Sequence, residues 1–349
     1  MNPPDDNDQA SARRGILAGG NWIVDLLKTV DVYPAQDALA NILDESVGNG
    51  GSPFNILADL ARLGAVYPLM GIGLTGDDPE GTWIRERCAE LGIDATRLGV
   101  CREAHTSYTV VVTARGTGRR TFFHQRGANA FLTAEHFDFT GCTARIFHLG
   151  YLLLLDGLDA PDAEYGTAAA RVLARARAAG CRTSVDVVSE DSDRFTAVVL
   201  PSLPHVDYCI LNEFELERTT GIVTRPGDVL DASAVEAGAR QLLQAGVREW
   251  VVVHYPEGAC AVGRADGGRA YRQGSVRLAE ERIVSTVGAG DAFAAGVLHG
   301  LHEGEGIERA LLYGVCAAAA CLGGRGTSDG VRPLAECLAE VERLGFRVC

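Results

Sequence analysis

From about residue 140 to residue 253 the chain alternates short apolar runs with helix-patterned segments: Arg145–Leu155, a helix near Ala163–Ala179, Thr183–Val188, Val206–Leu211, a helix over Ala232–Gln244 ended by Gly246, and the β-forming Trp250–Val253. Runs apolar on every residue must be covered on both faces, and strands joined by crossover helices achieve this. The rhythm therefore predicts an α/β domain with a mainly parallel central sheet. The Ala- and Arg-rich stretch Ala168–Ala179 reads as an outer, solvent-facing helix.

The segment Ser285-Thr286-Val287-Gly288-Ala289-Gly290-Asp291-Ala292-Phe293 reads as a glycine turn running straight into a helix with a carboxylate at the junction. Gly288 and Gly290 allow an anion to approach the main chain, and the first helical turn offers amide donors with no internal partner. A carboxylate repels phosphate. Asp291 makes sense there if it takes a proton from a hydroxyl attacking phosphorus. A tight turn capped by a dipole-favoured carboxylate fits the same residues. The helix beyond it carries Phe293, Val297, Leu298 and Leu301 at core spacing, with Ala294, Ala295 and Gly296 permitting close packing. A buried helix aimed at a cavity points to an anion at its end.

Length and composition narrow the classes. With 349 residues, 47% of them apolar, the chain suits one large domain or two smaller ones. A formal charge of −14 argues against nucleic acid or an anionic membrane as partner. Lys28 is the only lysine, so no Gly-Lys-Ser/Thr phosphate loop exists. Ten cysteines are scattered without a Cys-x-x-Cys pair and no secretory segment precedes them, which fits reduced thiols in a cytoplasmic protein. Residues 1–14 are polar and read as a disordered tail, and no run reaches the ~18–20 apolar residues that span a bilayer.

In the first half, Ser52-Pro53 opens a helix as cap and first turn, Ile56, Leu57, Leu60 and Leu63 form its buried stripe, and Gly64 ends it. A second helix is expected over Thr82–Leu91. Ser107–Thr113 and Arg120–His124 read as strands joined by Gly116-Thr117-Gly118, a small β lid built from about 26–36 and 96–127. Gly71-Ile72-Gly73-Leu74-Thr75-Gly76 matches a dinucleotide fingerprint by letter only. Asp77 and Asp78 follow where a pyrophosphate would sit, so the segment reads as a strand-to-helix loop.

Asn212-Glu213-Phe214-Glu215 follows a strand, at the end where open α/β sheets bind ligands. Asn212 and Glu215 on one side of a helical turn suit hydrated magnesium, and a capped acidic turn fits them equally. Asp25, at the end of a strand expected over Gly19–Asp25, joins Gly50, Gly51 and Asn55 as a set suited to a polyhydroxylated ligand. His148 and Asp186 are also placed at strand ends, as core or site residues.

In this order the pieces resemble the PfkB family of carbohydrate kinases, with the ribokinase-like fold, over about Gly15–Leu344. Gly50-Gly51-Ser52-Pro53-Phe54-Asn55 resembles the family's Gly-Gly-x-x-x-Asn element, Asn212–Glu215 its Asn-x-x-Glu motif and Ser285–Asp291 its Asp-Thr-x-Gly-Ala-Gly-Asp signature. Arg120-Thr121-Phe122 and Gly127-Ala128-Asn129 resemble the lid strand and the return into the main domain. The resemblance implies a three-layer α/β/α domain over residues 15–349, with a mainly parallel sheet and a small β lid. It implies transfer of the ATP γ-phosphoryl group to a sugar hydroxyl. Asp291 would be the base, and Gly288, Ala289 and Gly290 the anion hole. Asn212 and Glu215 would organise Mg2+, with Glu215 reaching the metal through water, and Asp25, Gly50, Gly51 and Asn55 would hold the sugar. His254 and Gly258 would border the nucleotide. Two departures stand out: Ser285 replaces the aspartate that helps hold a monovalent cation, which puts potassium activation in doubt, and Pro256 sits in the nucleotide-side loop His254–Gly258. A nucleoside kinase on the same fold and a non-catalytic sugar- or nucleotide-binding regulator remain the alternatives. A homodimer through the lid edges is possible.

Overall fold

The computed structural model describes residues 13–348. Among the described residues nine strands form the main sheet, in the order β15-β14-β13-β12-β11-β8-β1-β4-β5. In chain order these are β1 (Ile16–Gly20), β4 (Leu69–Gly76), β5 (Ile93–Cys101), β8 (Ile146–Leu152), β11 (Arg182–Val187), β12 (Tyr208–Asn212), β13 (Trp250–Tyr255), β14 (Gly258–Gly263) and β15 (Ala270–Gly274). All pairings from β13 to β5 are parallel, while β14 and β15 add antiparallel strands at one edge. A hairpin of two residues a side, β9 (Pro161–Asp162) with β10 (Gly166–Thr167), stands apart.

Alternation along the strands builds the layers. Leu17, Leu149, Val185, Leu211, Val251 and Val253 face one apolar core, and Ile16, Ala18, Ile146, Ile210 and Val252 face the other. The first face is covered by helices Ala168–Ala178 and Ala232–Gln244, the second by Ser52–Leu63, Ala289–Glu303 and Ile307–Cys321. Helix Ala168–Ala178, expected as an outer, solvent-facing helix, buries Ala169, Val172, Leu173 and Ala176 against the sheet and leaves Arg175 and Ala178 exposed.

Helix Ala289–Glu303 lies in the core with Phe293, Val297 and Leu298 buried, each worth about 1.5–3 kcal/mol on removal from water. A Cβ on Gly296 would stand 2.5 Å from the Tyr313 carbonyl of the next helix. Only glycine allows that approach.

A second sheet, in the order β3-β2-β6-β7, combines β2 (Ile23–Val30), β3 (Ile42–Gly50), β6 (Ser107–Ala114) and β7 (Arg120–Gln125). β2 and β6 pair in parallel, the outer pairs antiparallel. The lid bounds read from the sequence need correction. Residues 42–50 belong to this sheet, whereas residues 96–101 lie in β5 of the main sheet. Asp25 sits inside β2 rather than at the end of a strand over 19–25.

Gly71–Gly76 is strand rather than loop, and the following helix starts at Pro79, capped by the Asp78 carboxylate accepting from the Gly81 amide at 2.8 Å. Residues 1–12 of the expected tail lie outside the described residues. Arg13 is tied down, its guanidinium donating to the carbonyls of Ala144 and Cys142 at 2.9 and 2.5 Å. No helix among the described residues is long and apolar enough to cross a membrane.

Candidate active site

Two cavities meet at the head of helix Ala289–Glu303. The first, about 470 Å³, is lined by Asp25, Gly51, Asn55, Asp186, Glu215 and Asp291, with Thr109 and Arg120 from the small sheet. The second, about 490 Å³, lies towards β13 and is bordered by Tyr255, Pro256, Gly258, Ala289 and Phe293. His254, Asn212, Thr286 and Gly290 border both. The glycine turn thus separates a chamber under the small sheet, which holds the carboxylates, from a more apolar one beside the sheet edge.

Gly288 is the N-cap, with φ 77°, and a Cβ there would stand 2.2 Å from the Thr327 carbonyl. Glycine is required on both counts. The amides of the first turn point out of the helix, where an anion is favoured by position and by the helix dipole.

Asp291 is buried and held by two donors. Asn55 Nδ2 donates to Oδ2 at 2.8 Å, and the Tyr151 hydroxyl reaches Oδ1 and Oδ2 at 2.9 and 2.8 Å. Burial and then the charge of Asp186 push its pKa up to about 7, against the pull of Asn55 and Tyr151. A carboxylate poised near neutrality is matched to general-base work. Asn55 is itself oriented by Asn49, whose Nδ2 donates to Asn55 Oδ1 at 2.7 Å and to Ser328 Oγ at 3.0 Å.

Asp25 reaches the same chamber from β2, its pKa raised to about 8 by burial and by Asp291, with the Thr109 hydroxyl pulling the other way. Gly50 does not line the cavity; it leaves room for Asp25, whose Oδ1 lies 2.3 Å from where a Cβ would stand. Ser52, expected as a helix cap, is the first helical residue after an N-cap at Gly51. Its hydroxyl instead donates to Asp186 Oδ2 at 2.6 Å and lies 2.8 Å from His148 Nε2. His148 stands within β8 rather than at its end, buried, and its Nδ1 is 3.1 Å from Ser184 Oγ. It belongs to the support of Asp186.

Asn212 and Glu215 form a reciprocal cap. The Glu215 amide donates to Asn212 Oδ1 at 2.8 Å, and the Asn212 amide to Glu215 Oε2 at 2.9 Å. Glu215 Oε1 also accepts from Ser189 Oγ and Asn212 Nδ2. Burial raises the Glu215 pKa to about 8. Among the described residues no three His, Cys, Asp or Glu side chains converge as a metal cluster. Glu215, a carboxylate that lines the first cavity beside the Asn212 amide, suits a hydrated Mg2+ held chiefly by phosphate oxygens and water, and so this donor set fits that ion. His254 packs its ring 5.1 Å from Phe293, and desolvation lowers its pKa to about 4, leaving it neutral.

Sequence reading missed Tyr151, Thr109, Asn49 and the role of Arg120. Arg120 extends from β7 to the Thr286 hydroxyl, which joins the small sheet to the glycine turn, and among the described residues its buried Nη1 has no hydrogen-bond partner. Arg120 was read only as part of the lid strand, and Tyr151, Thr109 and Asn49 carry no motif of their own; strand pairing places Tyr151, Thr109 and Arg120 at the chamber and Asn49 behind Asn55.

The fold is the ribokinase-like one, a large mostly parallel sheet between helices with a small second sheet beside it. The chain matches the model of the pfkB family carbohydrate kinases over residues 20–333 and belongs to that family. It is a phosphotransferase acting on a hydroxyl acceptor. A 5-dehydro-2-deoxygluconokinase from Shouchella clausii is 24% identical over 303 residues, covering 84% of this chain and 86% of that protein. A fructokinase from Escherichia coli is 28% identical over 280 residues, covering 77% and 84%. Among solved structures, a ribokinase from Giardia lamblia superposes with a TM-score of 0.77 at 20% identity, covering 94% of this chain and 98% of that one. A ribokinase from Arabidopsis thaliana complexed with ribose and ATP gives 0.76 at 21% identity, covering 95% and 99%.

Proposed function

We propose that this protein transfers the γ-phosphoryl group of ATP, with Mg2+, to a hydroxyl of a small carbohydrate in the cytoplasm. The position of Asp291 carries the reading: a buried carboxylate near neutral pKa, at the amino end of a core helix, where the two cavities meet. Asp25, Gly51 and Asn55 orient the acceptor, with Gly50 keeping space for Asp25. Among the described residues Oδ1 of Asp291 accepts only from Tyr151, so a lone pair remains for the acceptor hydroxyl, whose proton it takes as the oxygen attacks phosphorus. The amides of Ala289 and Gly290 receive the growing charge beside Gly288, and the free Nη1 of Arg120 offers a further donor from above. Bound Mg2+ would neutralise phosphate charge. Asn212 and Glu215 would position its water shell, and His254 and Gly258 would border the nucleotide.

A panel assay of ADP release with neutral sugars, sugar acids and nucleosides tests this. Release with one or more sugars is expected. Release with nucleosides alone would select the nucleoside kinase, for which Phe122 in the cavity wall supplies a stacking surface. Ligand-induced thermal stabilisation without any ADP would select a non-catalytic binder. We also propose pairing of two copies through the lid, since β3 is an edge strand exposing Ile42, Leu43 and Val47. Light scattering that gives a monomer mass at working concentration would remove the dimer.

A further inference from the structure

We propose that Cys142 and Cys181 form a reversible disulfide site at the foot of the sheet, closed by exchange with a low-molecular-weight disulfide such as oxidised glutathione. The two sulfurs stand 3.9 Å apart. A bond requires about 2.05 Å, so roughly 1.9 Å of side-chain closure joins them. Each cysteine enters one of two neighbouring parallel strands: Cys142 lies shortly before β8 and Cys181 immediately before β11, where Ile146 pairs with Arg182.

Three features separate this pair from cysteines that merely fill the core. Cys142 and Cys181 are buried, but each follows an exposed glycine of positive φ, Gly141 at 66° and Gly180 at 87°, so the chain beside each thiol reaches the surface. Nothing lies within 4 Å of where a Cβ on Gly141 would stand. The Arg13 guanidinium donates to Cys181 Sγ at 3.6 Å and to the Cys142 carbonyl, placing a positive charge beside the sulfurs. By contrast, burial pushes the thiols of Cys88, Cys209 and Cys316 up to about 12. The Cys142 thiolate is favoured, first by the hydrogen bond from Cys181 and then by the Ala144 amide and by Arg13 and Arg97, against burial. Cys142 is thus the attacking sulfur.

The exchange balances in two steps. The Cys142 thiolate attacks one sulfur of the small disulfide, forming a mixed disulfide and expelling one small thiolate. Cys181 then loses its proton to solvent and attacks Cys142 Sγ, and the second small thiolate leaves. The protein has lost two hydrogens, and the small disulfide has become two thiols. The bond would fasten the bases of β8, which carries Tyr151, and β11, which carries Asp186, without touching either cavity.

The test is native exchange of the full-length protein with excess oxidised glutathione, followed by acid quench, alkylation and peptide mapping. The expected product is a Cys142–Cys181 cross-linked peptide that dithiothreitol reverses, with the cross-linked protein melting several degrees higher. Cys181→Ser should stop at a glutathione adduct on Cys142, and Arg13→Ala should slow cross-linking several-fold. Recovery of both cysteines as alkylated thiols from folded wild-type protein would overturn the proposal. So would pairing of Cys142 with a different cysteine. Both outcomes are independent of any kinase assay.

Discussion

At the scale of single residues, the site depends on how strongly Asp291 holds its proton. Burial and the neighbouring Asp186 raise the pKa, while Asn55 and Tyr151 hold it down to about 7. Tyr151→Phe removes the donor that touches both carboxylate oxygens. The carboxylate then loses stabilisation, its pKa rises, and a smaller fraction is ionised at neutral pH. The acidic limb of kcat against pH should therefore move towards higher pH by roughly one unit, with a several-fold loss near pH 7 that recovers at alkaline pH. A uniform loss at every pH would show that Tyr151 acts by packing alone. Asp291, Asn55, Asn212 and Glu215 were legible in the sequence because each sits in a short motif whose spacing fixes its chemistry. Tyr151, Thr109 and Asn49 were not. Their relation to Asp291 is created by strand neighbours more than 100 residues away in sequence in the case of Tyr151, which lies 140 positions from its partner. Ser52 was legible as a helix start and misread as a cap, because the competing acceptor, Asp186, lies 134 residues away.

At the scale of elements, the glycine turn and its helix act as one unit. Gly288 holds a positive φ with no space for a Cβ against the Thr327 carbonyl. Gly288→Ala forces either the turn or the loop segment carrying Thr327 to move, at a cost of about 1–3 kcal/mol. The expected result is a melting temperature several degrees lower, together with a kcat loss of at least ten-fold as the first-turn amides lose their aim. Unchanged stability and turnover would mean that the turn has slack which the geometry does not show. The alternation of elements from residue 140 onward was legible because β8, β12 and β13, covered on both faces, carry mostly apolar residues, even though β11 is half polar. The small sheet was only half legible. Its hairpin β6–β7 announced itself through β-formers and a glycine turn, but β3 exposes residues 42–47, so it shows no alternating apolar face and left no pattern to read. β5 was drawn into the lid because it precedes the hairpin, although its Leu98 and Ile93 bury against the main sheet.

Over the whole molecule, the same carboxylates give the stability an unusual pH dependence. Asp25 and Glu215 are raised to about 8 and Asp291 to about 7, all above their ordinary range. A group with a raised folded pKa contributes stability at low pH and loses it as pH rises through the folded value. The unliganded protein should therefore melt at lower temperature as pH rises from about 4.5, above the unfolded carboxylate range, to about 8, and Asp25→Asn should flatten that decline. Below this window the sign reverses. Glu236, Glu257 and Glu340 are held below their ordinary values with arginine partners, so their contribution is lost on acidification. A melting temperature that climbs steadily to alkaline pH would contradict the buried charge cluster. The central claim, that Asp291 draws the proton from the acceptor while the helix head receives the phosphoryl group, is tested most directly by Asp291→Asn under saturating nucleotide and sugar. The variant should fold, bind both ligands with little change in KM, and lose about 10²-fold or more in kcat. A variant that turns over at nearly the wild-type rate would contradict it.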